Sequence, residues 1–216
     1  MNPHSFLEPH SKAIRLWHWT FVFFVTATIA IVLLASTVFR TRNTIPLVER
    51  QLQQKGVTVS TDQARAVAHE FNDQLWNIHR LIGYCLCILL VSRWIIDRSE
   101  PRQQRLNYRL RKANSFRSVI PIEQIENRHY ITVKTIYILF YGVFAAMALT
   151  GLVLAFDDVP ALSMLHTFHG PAKTVHSFLQ YLIYAFIFFH LVGVIRADVG
   201  KHKGLVSGMI HGQKPG

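Results

Sequence analysis

The sequence has few cysteines, few acidic residues and few charged residues of any kind. Its only cysteines, Cys85 and Cys87, would point to different faces of a helix, so they form neither a disulfide framework nor a recognisable metal motif. Charged residues make up 16% of the 216 positions while 50% are hydrophobic, which argues against a soluble globular protein. The sequence contains no internal repeat and no low-complexity segment.

What the sequence has instead is four long hydrophobic segments, each with roughly the 20 mostly apolar residues that a membrane-spanning helix needs. They occupy residues 14–38, 75–96, 133–156 and 173–195. The first is longer than the apolar core of a cleaved signal peptide, so we expect an uncleaved span. The pattern predicts an all-α integral membrane protein in which residues 1–216 form a single domain, an up-and-down four-helix bundle.

The basic residues are unevenly divided between the two sides of these segments. If the N-terminus is cytoplasmic, the inner side holds 16 of the 23 lysines and arginines, whereas the 12 acids divide equally between the two sides. This positive-inside distribution predicts that both termini are cytoplasmic. It also accounts for the net charge of +11 without a nucleic-acid partner.

The loops carry weaker signals. In the first outer loop, 39–74, IPLVERQLQQKG ends on Gly56 and STDQARAVAHEFND opens with good helix-start residues, so we expect two short helices that cap the outer face. In the inner loop, 97–132, RQQRLNYRLRK predicts a basic helix lying on anionic lipid.

Four of the twelve histidines lie inside predicted spans, where ionisable residues are costly and usually functional. His18 and His190 lie near the inner ends of their spans, and His79 and His176 near the outer ends. His176 and His190 are fourteen residues apart, about four helical turns, so they share one face of the fourth span.

Pairing these histidines by depth joins His18 with His190 and His79 with His176. Each pair can supply two trans axial imidazoles to one haem iron, which predicts two haems, one near each membrane face. A single interfacial histidine is more often a bundle-lining residue, but four at matched depths favour haem. The third predicted span has no histidine and is expected to supply only packing.

Other residues near these histidines give weaker signals. Four basic residues lie at span ends: Arg15, Arg80, Lys173 and Arg196. They could pair with haem propionates or serve as interfacial anchors. Gly83 follows His79 by four positions and could let a macrocycle lie against the helix. Three further glycines could act in the same way: Gly142, Gly151 and Gly193. Three histidines outside the spans could be surface residues, a proton path or weak metal ligands: His129, His166 and His169.

At RLWHW (15–19), WNIHRLIGY (76–84), the two histidines of 174–191 and the tail KGLVSGMIHG (203–212), the chain resembles a known family. It is similar to the bacterial cytochrome b561 proteins, within the wider group of b-type cytochrome subunits of nickel–iron hydrogenases and thiosulfate reductases. The resemblance implies a multi-pass protein of the bacterial inner membrane with two b haems, whose ligands match His18, His79, His176 and His190. The first outer loop is longer than in the compact bacterial members.

We therefore expect a protein that carries electrons between an outer-face donor and the quinone pool, as a subunit or partner of a respiratory redox enzyme. No catalytic residue is assigned. One alternative is a self-contained superoxide:quinone oxidoreductase, although the near-neutral outer loops give little sign of anion steering. The other alternative is a haem-free transporter in which the histidines relay protons or ions.

Overall fold

The computed structural model describes residues 11–103, 105–156, 159–200 and 205–212. Within these ranges the chain forms helices and no strand. The helices are α1 (Lys12–Ser36), α2 (Thr41–Gln54), α3 (Thr61–Ser99), α4 (Leu106–Ser115), α5 (Pro121–Ala155), a 3-10 helix (Pro160–Phe168), α6 (His169–Val199) and α7 (Leu205–His211). The all-α prediction is confirmed for the described residues.

Four of the helices, α1, α3, α5 and α6, are long and apolar enough to cross a membrane. Each contains one of the four predicted hydrophobic segments almost completely. Large apolar side chains lie exposed on all four helices, for example Phe23, Leu81, Leu139 and Phe189. Such surfaces are costly in water and suit a lipid environment, so the chain is a multi-pass membrane protein.

The chain divides into two compact units, one formed by Thr20–Ile88 and the other by the residues on both sides of that range. In the unit 20–88, Asn72 of α3 donates hydrogen bonds to the carbonyls of Ala35 and Phe39, each 3.1 Å long. Its own carbonyl accepts from the indole of Trp76 at 2.8 Å. Asn72 therefore satisfies one carbonyl in the last turn of α1 and one in the connection that follows it.

In the other unit, α5 packs along α6, and hydrogen bonds link α1 to α3 and α3 to α5. The Trp17 indole of α1 donates to the Leu89 carbonyl of α3 at 2.7 Å. Arg93 of α3 reaches the Tyr141 hydroxyl of α5 at 3.2 Å. These bonds connect three predicted spans through side chains that are at least half-buried.

The first outer loop has one short helix, not the expected two. Helix α2 ends at Gln54, two residues before the predicted stop at Gly56, whose positive φ of 75° is tolerated because glycine has no Cβ. Ser60 and Gln63 then exchange hydrogen bonds of 2.9 and 3.2 Å, a capping box that starts α3. From there α3 runs unbroken to Ser99, so the expected second helix is the first part of the second span. Capping of the outer face stays a prediction.

The basic helix expected in the inner loop is observed as α4, a few residues later than RQQRLNYRLRK. Its start is held by Asp97, which accepts from the Leu106 amide at 3.2 Å. Its end is held by Asn127 of α5, which donates to the Ala113 carbonyl at 2.9 Å. The basic tail residues Lys201, Lys203 and Lys214 lie outside the described residues, and contact of α4 with lipid stays a prediction.

Candidate functional site

His18 of α1 and His190 of α6 lie side by side near the ends of their helices. Their ring centroids are 6.4 Å apart, and the ring planes make an angle of 67°. A metal–imidazole bond is about 2 Å long and the ring centre lies about 1 Å further, so two rings trans on one metal have centres about 6 Å apart. The spacing of His18 and His190 therefore fits two axial ligands of one iron.

Aromatic side chains of α5 and α6 fix the surroundings of His190. The Phe186 ring lies nearly parallel to the His190 ring, with centroids 5.7 Å apart and planes 6° from parallel. Tyr137 meets the same imidazole edge-on at 6.1 Å. Phe186 is itself stacked on Phe140 at 3.9 Å. These contacts restrict the rotation of His190 and give this part of the site an apolar lining.

His176 of α6 is held by α5. Its Nδ1 lies 3.1 Å from the hydroxyl oxygen of Thr150. Close approach of the two helices is possible because the next residue is Gly151, where a Cβ would lie only 3.2 Å from the Cε1 of His176. The third span therefore supplies a polar contact to a candidate ligand, and the expectation that it supplies only packing is wrong.

His79 has a similar neighbour within its own unit. Its Nδ1 lies 2.8 Å from the Thr28 hydroxyl of α1, and the Trp76 ring meets its imidazole edge-on at 5.5 Å. All four span histidines are half-buried. The pairing of His79 with His176 stays a prediction.

Arg15 contacts the C-terminal helix, and its pairing with a haem propionate stays a prediction. Its guanidinium donates to the carbonyl of Ile210 in α7 at 2.9 Å, while the Trp19 indole donates to the Met209 carbonyl at 3.2 Å. Gly212, with a φ of 75°, lies so close to this guanidinium that a Cβ would be 2.7 Å from its carbon. Arg15 and Trp19 therefore hold the last turn of α7 next to His18.

The other predicted packing and propionate residues face open surroundings. Arg80 is exposed and donates to the Asn77 side chain at 3.2 Å. Lys173 and Arg196 are exposed. A Cβ at Gly83 would meet no described atom within 4 Å, and the same is true of Gly142 and Gly193. Contacts of these residues with a haem stay predictions.

Arg93 lies near His18's neighbour Trp17, although the sequence identifies it only as one of the 16 basic residues on the predicted inner side. Its guanidinium carbon lies 5.7 Å from the Trp17 ring and 5.9 Å from the Tyr141 ring, and its Nη1 is 3.9 Å from Asp97. That Nη1 is buried, and it has no hydrogen-bond partner among the described residues. A charged residue inside the predicted span 75–96 was the signal that could have identified it.

In the described part of the chain, the other histidines and the two cysteines form no cluster typical of a metal site. The His166 and His169 rings lie 6.4 Å apart, and among the described residues no group of three histidine, cysteine or acidic side chains could hold a metal ion. Cys85 and Cys87 are free thiols. A haem needs only two axial imidazoles, so the histidine pairs are unaffected by this criterion.

The chain was also compared with known proteins. The family model described as prokaryotic cytochrome b561 matches residues 9–212, which include all four span histidines. No curated protein and no solved structure matches the chain.

Proposed function

Because this chain belongs to the prokaryotic cytochrome b561 family, we propose that it is a di-haem b-type cytochrome of the bacterial inner membrane. It carries electrons between a donor at the outer face and the quinone pool, as a subunit or partner of a respiratory redox enzyme. In this proposal residues 1–216 work as one transmembrane domain with both termini in the cytoplasm.

The observation that carries the proposal is the position of His18 against His190. Two helices from opposite ends of the chain bring these imidazoles to a centroid distance of 6.4 Å, which fits two ligands of one iron. We assign this pair to the inner haem, and we assign His79 and His176 to the outer haem from their depth in the spans. A haem held by two histidines would supply one-electron transfer rather than oxygen binding.

The protein's own residues have two tasks in this proposal. Phe186 of α6 and Tyr137 of α5 hold the His190 ring in one orientation through aromatic contacts. Thr28 and Thr150 lie within hydrogen-bonding distance of Nδ1 of His79 and His176, and each ring would bind the iron through Nε2. Rigid ligands reduce the reorganisation that accompanies a change of charge at a metal, as preorganised sites do in general.

Alanine variants of the histidines test the assignment. We expect His176→Ala to lose the outer haem and His18→Ala the inner one, each leaving about one haem per chain, because one ligand of a pair is removed. His166→Ala, in the 3-10 helix before α6, is the matched control and keeps two. The ratio of haem to protein in the purified variants is measured by pyridine haemochrome spectra. A ratio of two in His176→Ala contradicts the assignment.

Two further measurements separate the carrier from the alternatives. A purified protein with no b-type band in its dithionite-reduced-minus-oxidised spectrum would favour the haem-free transporter. Rapid reduction of the purified protein by superoxide in stopped flow, without any partner, would favour the self-contained oxidoreductase. We expect a b-type band and slow reduction by superoxide.

A further inference from the structure

In two of the four candidate ligands, a threonine hydroxyl lies within hydrogen-bonding distance of the ring nitrogen that would face away from the iron. Thr28 of α1 lies 2.8 Å from Nδ1 of His79, and Thr150 of α5 lies 3.1 Å from Nδ1 of His176. Within the described residues, no hydrogen bond is found for His18 or His190, whose ring contacts are with aromatic side chains and with each other. The hydrogen bonds thus distinguish the outer pair from the inner pair.

Two carbonyls near Thr150 offer its hydroxyl hydrogen an acceptor other than His176. The Thr150 oxygen lies 2.9 Å from the carbonyl of Ala146 and 3.0 Å from that of Met147. A carbonyl only accepts, so the hydroxyl hydrogen of Thr150 can go to one of these carbonyls while its oxygen accepts from Nδ1 of His176. A histidine that gives Nε2 to an iron keeps its hydrogen on Nδ1, which matches this direction.

The direction at His79 follows from the chemistry of a neutral imidazole. A ring that gives Nε2 to a metal keeps its hydrogen on Nδ1. When His79 binds an iron, Thr28 must therefore accept the hydrogen bond, as Thr150 can. The threonine hydroxyl can then donate its own hydrogen bond to a carbonyl of the preceding helical turn.

We propose that Thr28 and Thr150 are positioning residues for the outer haem, which accept the Nδ1–H of His79 and His176, fix their rings and lower the reduction potential of that haem. This inference rests on the proposed function, because it takes both histidines as ligands. A ligand whose N–H is donated to an acceptor becomes more basic, and a more basic ligand stabilises the ferric over the ferrous state. The asymmetry between the two pairs biases electron transfer from the outer towards the inner haem.

The test is a redox titration of the purified membrane protein, followed at the b-type absorption band and by the low-spin electron paramagnetic resonance signals. In Thr150→Val we expect one haem to shift to a higher potential, with the ferrous-to-ferric ratio at fixed potential rising about tenfold, equal to about 59 mV for one electron. Thr28→Val should shift the same haem. Thr150→Ser keeps the hydroxyl and should resemble the unmodified protein.

The matched control is Thr132→Val, on the same helix as Thr150. Thr132 donates to the Arg128 carbonyl at 3.0 Å and contacts no histidine in the described structure. Both haem potentials should be unchanged in this variant. A shift in Thr132→Val as large as that in Thr150→Val would overturn the inference, because the effect would then not depend on the bond to His176.

Other results also decide the matter. Unchanged potentials and resonance signals in both Thr150→Val and Thr28→Val, with two haems bound, overturn the inference and leave the proposed function intact. Shifts of different haems in the two variants overturn it too. Thr150→Val could also lose one haem. In that case, two bound haems in Thr150→Ser support the role of the hydroxyl, and loss of a haem from Thr150→Ser as well opposes it. Absence of any b-type band in the unmodified protein overturns the proposed function itself.

Discussion

The contact between Gly151 and His176 gives a prediction whose size can be worked out from the structure. A Cβ at position 151 would lie 3.2 Å from Cε1 and 3.6 Å from Nδ1 of His176, whereas ordinary contacts span 3.4–4 Å. Gly151→Ala must therefore push the imidazole away by a few tenths of an ångström. The bond from Nδ1 to Thr150 is already 3.1 Å long, near the upper limit of about 3.2 Å for a good N–H···O bond, so it weakens.

We expect Gly151→Ala to disturb one haem and to leave the other unchanged. Loss of a supporting interaction around a metal ligand typically costs about tenfold or more in affinity, so one of the two haems should dissociate about tenfold faster in detergent. The assay follows the loss of b-type absorbance after addition of a haem-binding apoprotein. Electron paramagnetic resonance reports which low-spin signal has changed.

Gly170→Ala is the control, since it is the same substitution on α6, the helix that carries His176. A Cβ there would meet no described atom within 4 Å. Alanine favours a helix over glycine by up to about 1 kcal/mol, so this variant should be as stable as the unmodified protein or slightly more so. Equal haem dissociation and equal resonance signals in the two variants would refute the reasoning.

Two further predictions concern the ends of α1. Asn72→Leu removes both bonds to the carbonyls of Ala35 and Phe39, so the free energy of unfolding should fall by about 1–3 kcal/mol, with a lower midpoint of thermal unfolding in detergent. The exposed Asn77→Leu is its control, and equal midpoints would contradict the role of Asn72. Gly212→Val should release the C-terminal helix from Arg15, because its backbone has positive φ and its Cβ would clash with the guanidinium. We expect limited proteolysis to cut the tail faster in this variant. An unchanged rate of cleavage would contradict the role of Gly212.

Much of the fold follows from hydropathy and capping signals. The four spans were predictable because a bilayer imposes both length and apolar character on a helix. Gly56 and Ser60 were recognisable as a stop and a start because their local bonds need no tertiary context. The sequence predicted two separate helices where α3 is unbroken, because the residues change from polar to apolar near Leu75. Such a change marks the entry into the membrane and does not end a helix. Neither proline nor glycine interrupts the chain between Thr61 and Ile82.

The site was only partly predictable. Helical periodicity places His176 and His190 on one stripe, and the structure brings His190 to His18. The part played by Thr150 could not be read from the sequence, because threonine is unremarkable in a span and its bond to His176 depends on the approach that Gly151 permits. The engagement of Arg15 with α7 could not be read either, since it joins residues far apart in the chain.

The haem content of the purified, unmodified protein tests the central claim most directly. Pyridine haemochrome absorbance divided by protein concentration gives the number of b haems per chain, and the account predicts two. A value of one, or the absence of b-type haem, would contradict the assignment of four histidines to two irons.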